Sequence, residues 1–254
     1  MKRLYEKSEI TFAILWIVIY VVGIGTLKSK FGLDSMWQML GLIALSAVLY
    51  LIVRRNGLLE KYGLAGWAKN SKAMLWFIPL WLISCLNLCG GFSPDYPVPG
   101  VIYAAVSMAL VGFVEALLFR GFLFKAMLKD GSVKAAVIVS SVTFGLGHIV
   151  NLFTGQDLAE TLIQMVFAVS VGFVFTFVFY KSGSLLPGIL AHSMIDVTSV
   201  FSPDEGSQLL NVILHAGVII LSAAYCVYLA KRVETPAINR VDMQRQSAAD
   251  PEAQ

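Results

Sequence analysis

Residues 161–180 read TLIQMVFAVSVGFVFTFVFY, a run of 20 positions without one charged side chain. A helix needs about 20 mostly apolar residues to cross a bilayer, so this run predicts a membrane-spanning helix. The whole chain agrees, since 57% of its 254 residues are hydrophobic and only 14% are charged. A soluble domain carries about 25% charged residues. The composition therefore excludes a soluble globule, and it also excludes a disordered chain.

Seven further apolar runs, on both sides of the first, are long enough to span a bilayer. They cover residues 10–27, 35–53, 73–94, 96–124, 135–156, 182–203 and 206–230. Lipid offers no hydrogen bonds to an open backbone, so each run is predicted to be a helix. We therefore expect an all-α, polytopic integral membrane helical bundle with about eight transmembrane helices. The helical domain is predicted over residues 1–232, followed by a flexible polar cytoplasmic tail over residues 233–254.

The distribution of basic residues predicts the orientation of these spans. With eight spans and the N-terminus inside, 16 of the 19 Lys and Arg residues fall in cytoplasmic segments. The predicted outer loops hold only two of them, Lys28 and Lys30, together with six acidic residues. The positive-inside rule then places both termini in the cytoplasm. The net charge of +3 is too small to predict a nucleic-acid partner.

Several ionisable residues interrupt the predicted spans, where each isolated charge costs about 2.5–3.5 kcal/mol. At a rise of about 1.5 Å per residue, Glu115 and His148 lie about 20 Å from the inner helix ends. His192 and Asp196 lie about 12 and 18 Å from theirs. They are four residues apart and share a helix face, where a carboxylate can orient an imidazole. The sequence therefore predicts one polar layer that is reachable from the cytoplasm.

Three further residues are expected to support this layer. His148 and Asn151 are three residues apart on one predicted face, and Phe144 lies one turn before His148. Arg120 lies five residues after Glu115, about 140° around an α-helix, so no same-face ion pair is expected. Because Arg120 is nearer the cytoplasm, its long side chain is expected to snorkel toward the headgroups.

Three kinds of chemistry fit these residue types. Glu115, His148 and His192 match the two-His, one-Glu ligand set of a divalent metal site. Alternatively, Glu115 and a histidine activate a water as general base, while the second histidine and an amide stabilise an oxyanion. A proton or ion pathway would use the same residue types, although no relay toward the outer side is apparent. Composition and spacing leave these readings open.

Three motifs, in this order on separate predicted helices, resemble the signatures of the CPBP (Abi) intramembrane protease family. The family patterns are E-E-x-x-x-R, F-x-x-x-H and H-x-x-x-N/D, and the family includes type II CAAX prenyl endopeptidases and bacterial proteins linked to bacteriocin immunity. The matching segments, within residues 111–200, are Glu115-Ala-Leu-Leu-Phe-Arg120, Phe144-Gly-Leu-Gly-His148 and His192-Ser-Met-Ile-Asp196. The resemblance implies an eight-span intramembrane endopeptidase that cuts peptides or membrane-anchored proteins near the cytoplasmic face.

The resemblance also implies roles for individual residues. Glu115 would activate the hydrolytic water, and His148 would pair with that water or with a metal. His192 and Asp196 would be oxyanion donors or metal-site partners. The supporting roles would fall to Arg120, Phe144 and Asn151. A Zn²⁺ cofactor is implied as an option, with His148, His192 and Glu115 as its candidate ligands.

One position departs from the family pattern. The second glutamate of the first motif is Ala116 in this chain. By the resemblance, this change would keep the principal base but remove a group that orients it. The alternative expectation is therefore a catalytically inactive family member that acts as a binding or bacteriocin-immunity protein. In either case, a bacterial plasma membrane is the expected location, with the site open to the cytoplasm.

Overall fold

The computed structural model describes residues 2–94, 96–130, 132–202 and 208–240. Within these ranges the regular structure is helical, and no strand occurs. The α-helices are α1 (Lys2–Lys7), α2 (Glu9–Phe31), α3 (Met36–Arg55), α4 (Ile78–Ser84), α5 (Gly100–Glu115), α6 (Lys125–Asp130), α7 (Val133–Leu146), α8 (Leu158–Ser182), α9 (Leu186–Ser199) and α10 (Gln208–Arg232). A π-helix, Ala116–Phe124, joins α5 to α6, and a 3₁₀-helix, Gly147–Thr154, extends α7.

Six helical stretches in the described residues are long and apolar enough to cross a membrane. They are Glu9–Phe31, Met36–Arg55, Gly100–Lys129, Val133–Thr154, Leu158–Ser182 and Val212–Arg232. Their outer faces expose large apolar side chains such as Val22, Leu162 and Ile220. Such faces suit contact with lipid, so the prediction of an all-helical integral membrane protein is confirmed. The count of eight spans and the orientation of the termini stay predictions.

The predicted span over residues 73–94 is broken into short pieces. Leu75, Trp76 and Phe77 all have positive φ angles, between 53° and 60°. This left-handed backbone cannot continue an α-helix. The helix that follows, α4, has only 7 residues, so it is about 10 Å long and much shorter than a bilayer.

The predicted span over residues 182–203 is also shorter than expected, because α9 has 14 residues and is about 21 Å long. The two short segments pack against each other. The Ser84 hydroxyl donates to the carbonyl of Ala191, and the Asn87 side-chain amide donates to the carbonyl of Ile195. These two segments therefore complete the bundle beside the longer helices.

Helices α5 and α8 organise the bundle. Helix α8 packs along α7 on one side and α10 on the other, while α5 packs along α3 and α9. One apolar core joins α2, α3, the π-helix and α7, and a second joins α4, α8, α9 and α10. This arrangement places α5, α7 and α9, which carry the three sequence motifs, next to one another or to the same neighbours.

The beginning of the predicted flexible tail is docked against the bundle. Asn239 is fully buried, and its side-chain amide donates to the carbonyls of Phe179 and Tyr180 at the end of α8. The ammonium of Lys125 donates to the carbonyl of Ile238 and to the side-chain oxygen of Asn239. Residues 238 and 239 of the predicted tail are therefore hydrogen-bonded to the bundle, and the flexibility of the tail stays a prediction. Residues 241–254 lie outside the described residues.

Candidate active site

The candidate site begins where α5 and α9 approach closely. Gly112 in α5 faces Ser193 in α9, and a Cβ atom on Gly112 would lie 2.5 Å from the Ser193 backbone nitrogen. The Ser193 hydroxyl also donates a 2.7 Å hydrogen bond to the carbonyl of Ala109. A small residue at this point allows two membrane helices to approach closely. The contact brings Glu115, one turn after Gly112, next to the residue before Ser193, which is His192.

Three of the predicted site residues converge at this contact. The Nε2 atom of His192 lies 3.5 Å from Oε2 of Glu115 and 3.4 Å from Oδ2 of Asp196. Glu115 and His192 are buried, and Asp196 is partly buried. Within the described residues, those two oxygens and Nδ1 of His192 have no hydrogen-bond partner. These polar atoms are therefore free to bind a water molecule or a peptide group.

A tyrosine that the sequence analysis missed completes this group. The phenol of Tyr20, in α2, donates a 2.7 Å hydrogen bond to Oε1 of Glu115. Tyr20 lies 11 residues after Glu9, the first residue of α2, which is about 16 Å along the helix. In the sequence, the only indication of a role for Tyr20 is that its hydroxyl lies within an apolar span. Nothing in the sequence indicates its partner, which is 95 residues away.

Phe144 connects the second histidine to the site. The Phe144 ring packs edge-to-face against His192, with ring centroids 5.4 Å apart, and against His148, with centroids 5.6 Å apart. No hydrogen bond or ion pair in the described structure joins His148 to Glu115 or His192. The three motifs therefore meet, but His148 reaches the acid group only through an aromatic ring.

The prediction that Arg120 snorkels to the cytoplasm is wrong. Arg120 is 1% exposed, and its guanidinium lies over the Phe144 ring at 3.9 Å and the Phe175 ring at 5.2 Å. Its Nη2 atom is 3.5 Å from the carbonyl of Gly172. The α-helical angle used for Glu115 and Arg120 also does not apply, because residues 116–124 form a π-helix. Arg120 is thus buried and lies against two aromatic rings beside the site.

Asn151 lies on the 3₁₀-helix after α7 and contacts α2 and α8 rather than the acid group. Its amide donates to the side-chain oxygen of Gln164 at 2.8 Å. Its own side-chain oxygen accepts from the ammonium of Lys28 at 3.5 Å. Asn151 therefore links the 3₁₀-helix to α2 and α8.

The predicted zinc ligands do not form a metal site as they are placed. Among the described residues, no group of three or more His, Cys, Asp or Glu side chains is arranged to hold a metal ion. A tetrahedral zinc site needs three protein ligands within about 2.0–2.3 Å of the metal. His148 does not meet Glu115 and His192 in this way, so the donor set does not fit and no metal-dependent step is derived.

The arrangement as placed suits acid–base chemistry. One oxygen of Glu115 is held by a phenol, and the other faces an imidazole nitrogen across 3.5 Å. A carboxylate with one free oxygen in a buried site can accept a proton from a bound water. An imidazole beside it can donate to a developing oxyanion.

Comparison with known families agrees with this location. Residues 97–198 match a family model described as type II CAAX prenyl endopeptidase Rce1-like. The matched segment contains all seven candidate site residues. Comparison with curated proteins finds no match, and comparison with solved structures finds none.

Proposed function

We propose that this chain is an active intramembrane endopeptidase, because residues 97–198 match a family model described as type II CAAX prenyl endopeptidase Rce1-like. The observation that carries the proposal is the convergence of Glu115, His192 and Asp196, with one free oxygen on each carboxyl group. The substrate would be a peptide or a membrane-anchored protein, cut near the cytoplasmic face.

The proposed reaction is hydrolysis of a peptide bond by an activated water. Oε2 of Glu115 accepts a proton from the water, whose oxygen then bonds to the scissile carbonyl carbon. The imidazole of His192 donates a hydrogen bond to the resulting oxyanion. The imidazole of His148, which also packs against Phe144, donates a second hydrogen bond to it. The carbon–nitrogen bond then breaks, and the proton held by Glu115 passes to the leaving amine. Asp196 orients His192, since the two are one helical turn apart.

The proposed location is a bacterial plasma membrane, with the site open to the cytoplasm. The distribution of basic residues supports this orientation, because the segments between predicted outer ends are nearly free of Lys and Arg. Water and the substrate peptide would then enter from the cytoplasmic side, while the rest of a membrane-anchored substrate stays in lipid.

The test is cleavage of a quenched, prenylated peptide by the purified protein in proteoliposomes. Glu115→Gln and His192→Ala should each lower kcat by about 10²–10⁴-fold, the usual contribution of a general base or of an oxyanion donor. Two matched controls are Glu9→Gln and His215→Ala. Glu9 forms ion pairs with Lys61 and Lys129, and the His215 ring packs against Phe167. These contacts do not involve Glu115 or His192. Both controls should keep wild-type turnover, and full cleavage by Glu115→Gln would overturn the catalytic assignment.

Zinc assistance is tested separately from turnover. Stoichiometric zinc in the purified protein, lost in His148→Ala, would support the sequence-based prediction of a zinc site. Full cleavage by protein that has been shown to be metal-free would remove that prediction.

Ala116 favours a second candidate function, an inactive family member that acts as a binding or immunity protein. Ala116 is buried and has no polar group to help the neighbouring carboxyl. This alternative predicts that the wild-type protein cleaves no peptide in a broad panel. It also predicts protection of cells from a bacteriocin to the same extent by the wild type and by Glu115→Gln.

A further inference from the structure

A hydrogen bond to the candidate base comes from a helix outside the three motifs. Tyr20 and Glu115 are each 9% exposed, and the phenol donates to Oε1 across 2.7 Å. Among the described residues this is the one hydrogen bond that Glu115 receives, since Oε2 has none. The next residue, Ala116, carries no polar side-chain atom. The orientation of the carboxyl group therefore depends on α2.

The orientation matters because the terminal torsion of a glutamate is broad. Without a partner, the two carboxyl oxygens would exchange positions and face several directions. A donor on Oε1 fixes the carboxyl plane and leaves Oε2 toward Nε2 of His192, 3.5 Å away. A phenol provides this bond without adding a charge to the buried site.

We propose that Tyr20 is a positioning residue for the reaction, and that it holds Glu115 so that Oε2 accepts the proton of the attacking water. This inference rests on the proposed endopeptidase function. It assigns a role to α2, which lies outside the segment that matches the family model. It also explains how a carboxyl group followed by Ala116 keeps a defined orientation.

The test is Tyr20→Phe, which keeps the buried ring and removes only the hydroxyl. Its matched control is Tyr225→Phe, because Tyr225 is 2% exposed and donates a 2.8 Å hydrogen bond to the carbonyl of Met74. Tyr20→Phe should lower kcat about ten- to a hundredfold with KM unchanged, as expected for one hydrogen bond to a charged group. Tyr225→Phe should keep kcat, although it also loses a buried hydrogen bond.

A second measurement observes the contact without turnover. Difference infrared spectra of the two variants report the carboxyl band of Glu115, which is assigned by its disappearance in Glu115→Gln. The band should change frequency in Tyr20→Phe and stay fixed in Tyr225→Phe. A kcat loss in Tyr20→Phe without a band shift would mean a general structural effect and would overturn the proposal.

The same measurements separate this proposal from the proposed function. If the wild type cleaves peptides and Tyr20→Phe cleaves them equally well, the positioning role is wrong and the endopeptidase function stands. If the wild type cleaves nothing while the band shifts as expected, the endopeptidase function fails. The positioning role then fails with it, and only the contact remains.

Discussion

Asn239 provides the sharpest test of the hydrogen bonds that join the residues after α10 to the bundle. Its amide donates to the carbonyls of Phe179 and Tyr180 at 2.8 and 2.9 Å, and its oxygen accepts from Lys125 at 2.8 Å. A neutral hydrogen bond contributes about 1 kcal/mol and a bond to a charged group about 1.5–3 kcal/mol. Asn239→Ala should therefore lower the free energy of unfolding by about 3–5 kcal/mol. For a chain of this size, the corresponding fall in Tm is about 6–20 °C.

The assay is thermal unfolding of the purified protein in detergent, with all variants scanned at one rate. The control is Asn56→Ala, because Asn56 is exposed and its side chain donates one hydrogen bond, to the carbonyl of Ile52. That change should cost less than about 1 kcal/mol. The reasoning would be refuted if Asn239→Ala lowered Tm no more than Asn56→Ala does.

Two further predictions concern the helix contact at the site and the ion pair between Glu9 and Lys61. Gly112→Ala should lower both Tm and peptide cleavage, because the new Cβ would meet the Ser193 backbone, whereas Gly217→Ala meets nothing within 4 Å and should keep both. Equal Tm values for the two variants would contradict the close contact. Burial opposes the charge of Lys61, but hydrogen bonds to Glu9 and Tyr5 outweigh it and raise the pKa of Lys61. Its stabilising contribution is therefore complete below the ordinary lysine pKa and is lost as pH rises through the folded value. Lys61→Met should remove this alkaline loss from a plot of Tm against pH, and an unchanged plot would show that Lys61 does not cause it.

Five of the charge-free runs correspond to long apolar helices in the described residues, and so does the run over residues 96–124, although Glu115 and Arg120 interrupt it. The length of an apolar run shows that a segment can be buried in lipid or protein. It does not show whether the segment crosses the bilayer as one helix or packs as a shorter helix. Residues 73–94 contain no charged residue, yet the left-handed backbone at Leu75, Trp76 and Phe77 breaks the helix there. Glycine and asparagine are the residues that usually adopt left-handed backbone, and neither occurs at these three positions. The sequence therefore did not predict the break.

The contacts among the candidate site residues were predictable only in part. The four-residue spacing of His192 and Asp196 correctly placed both on one face of α9. The burial of Arg120 was not predicted, because the position of a residue along its helix does not show which aromatic rings of other helices pack against it. Tyr20 was missed because its partner lies on another helix, and a single sequence carries no signal for such pairs.

The Phe144 ring touches the guanidinium of Arg120 on its face and both imidazoles, His148 and His192, in edge-to-face contacts. The Phe144 side chain therefore lies between Arg120 of the π-helix, His148 of the 3₁₀-helix and His192 of α9. A small apolar molecule that wedges this ring aside would misalign all of them together. Such an inhibitor would act without competing with the substrate of the proposed reaction.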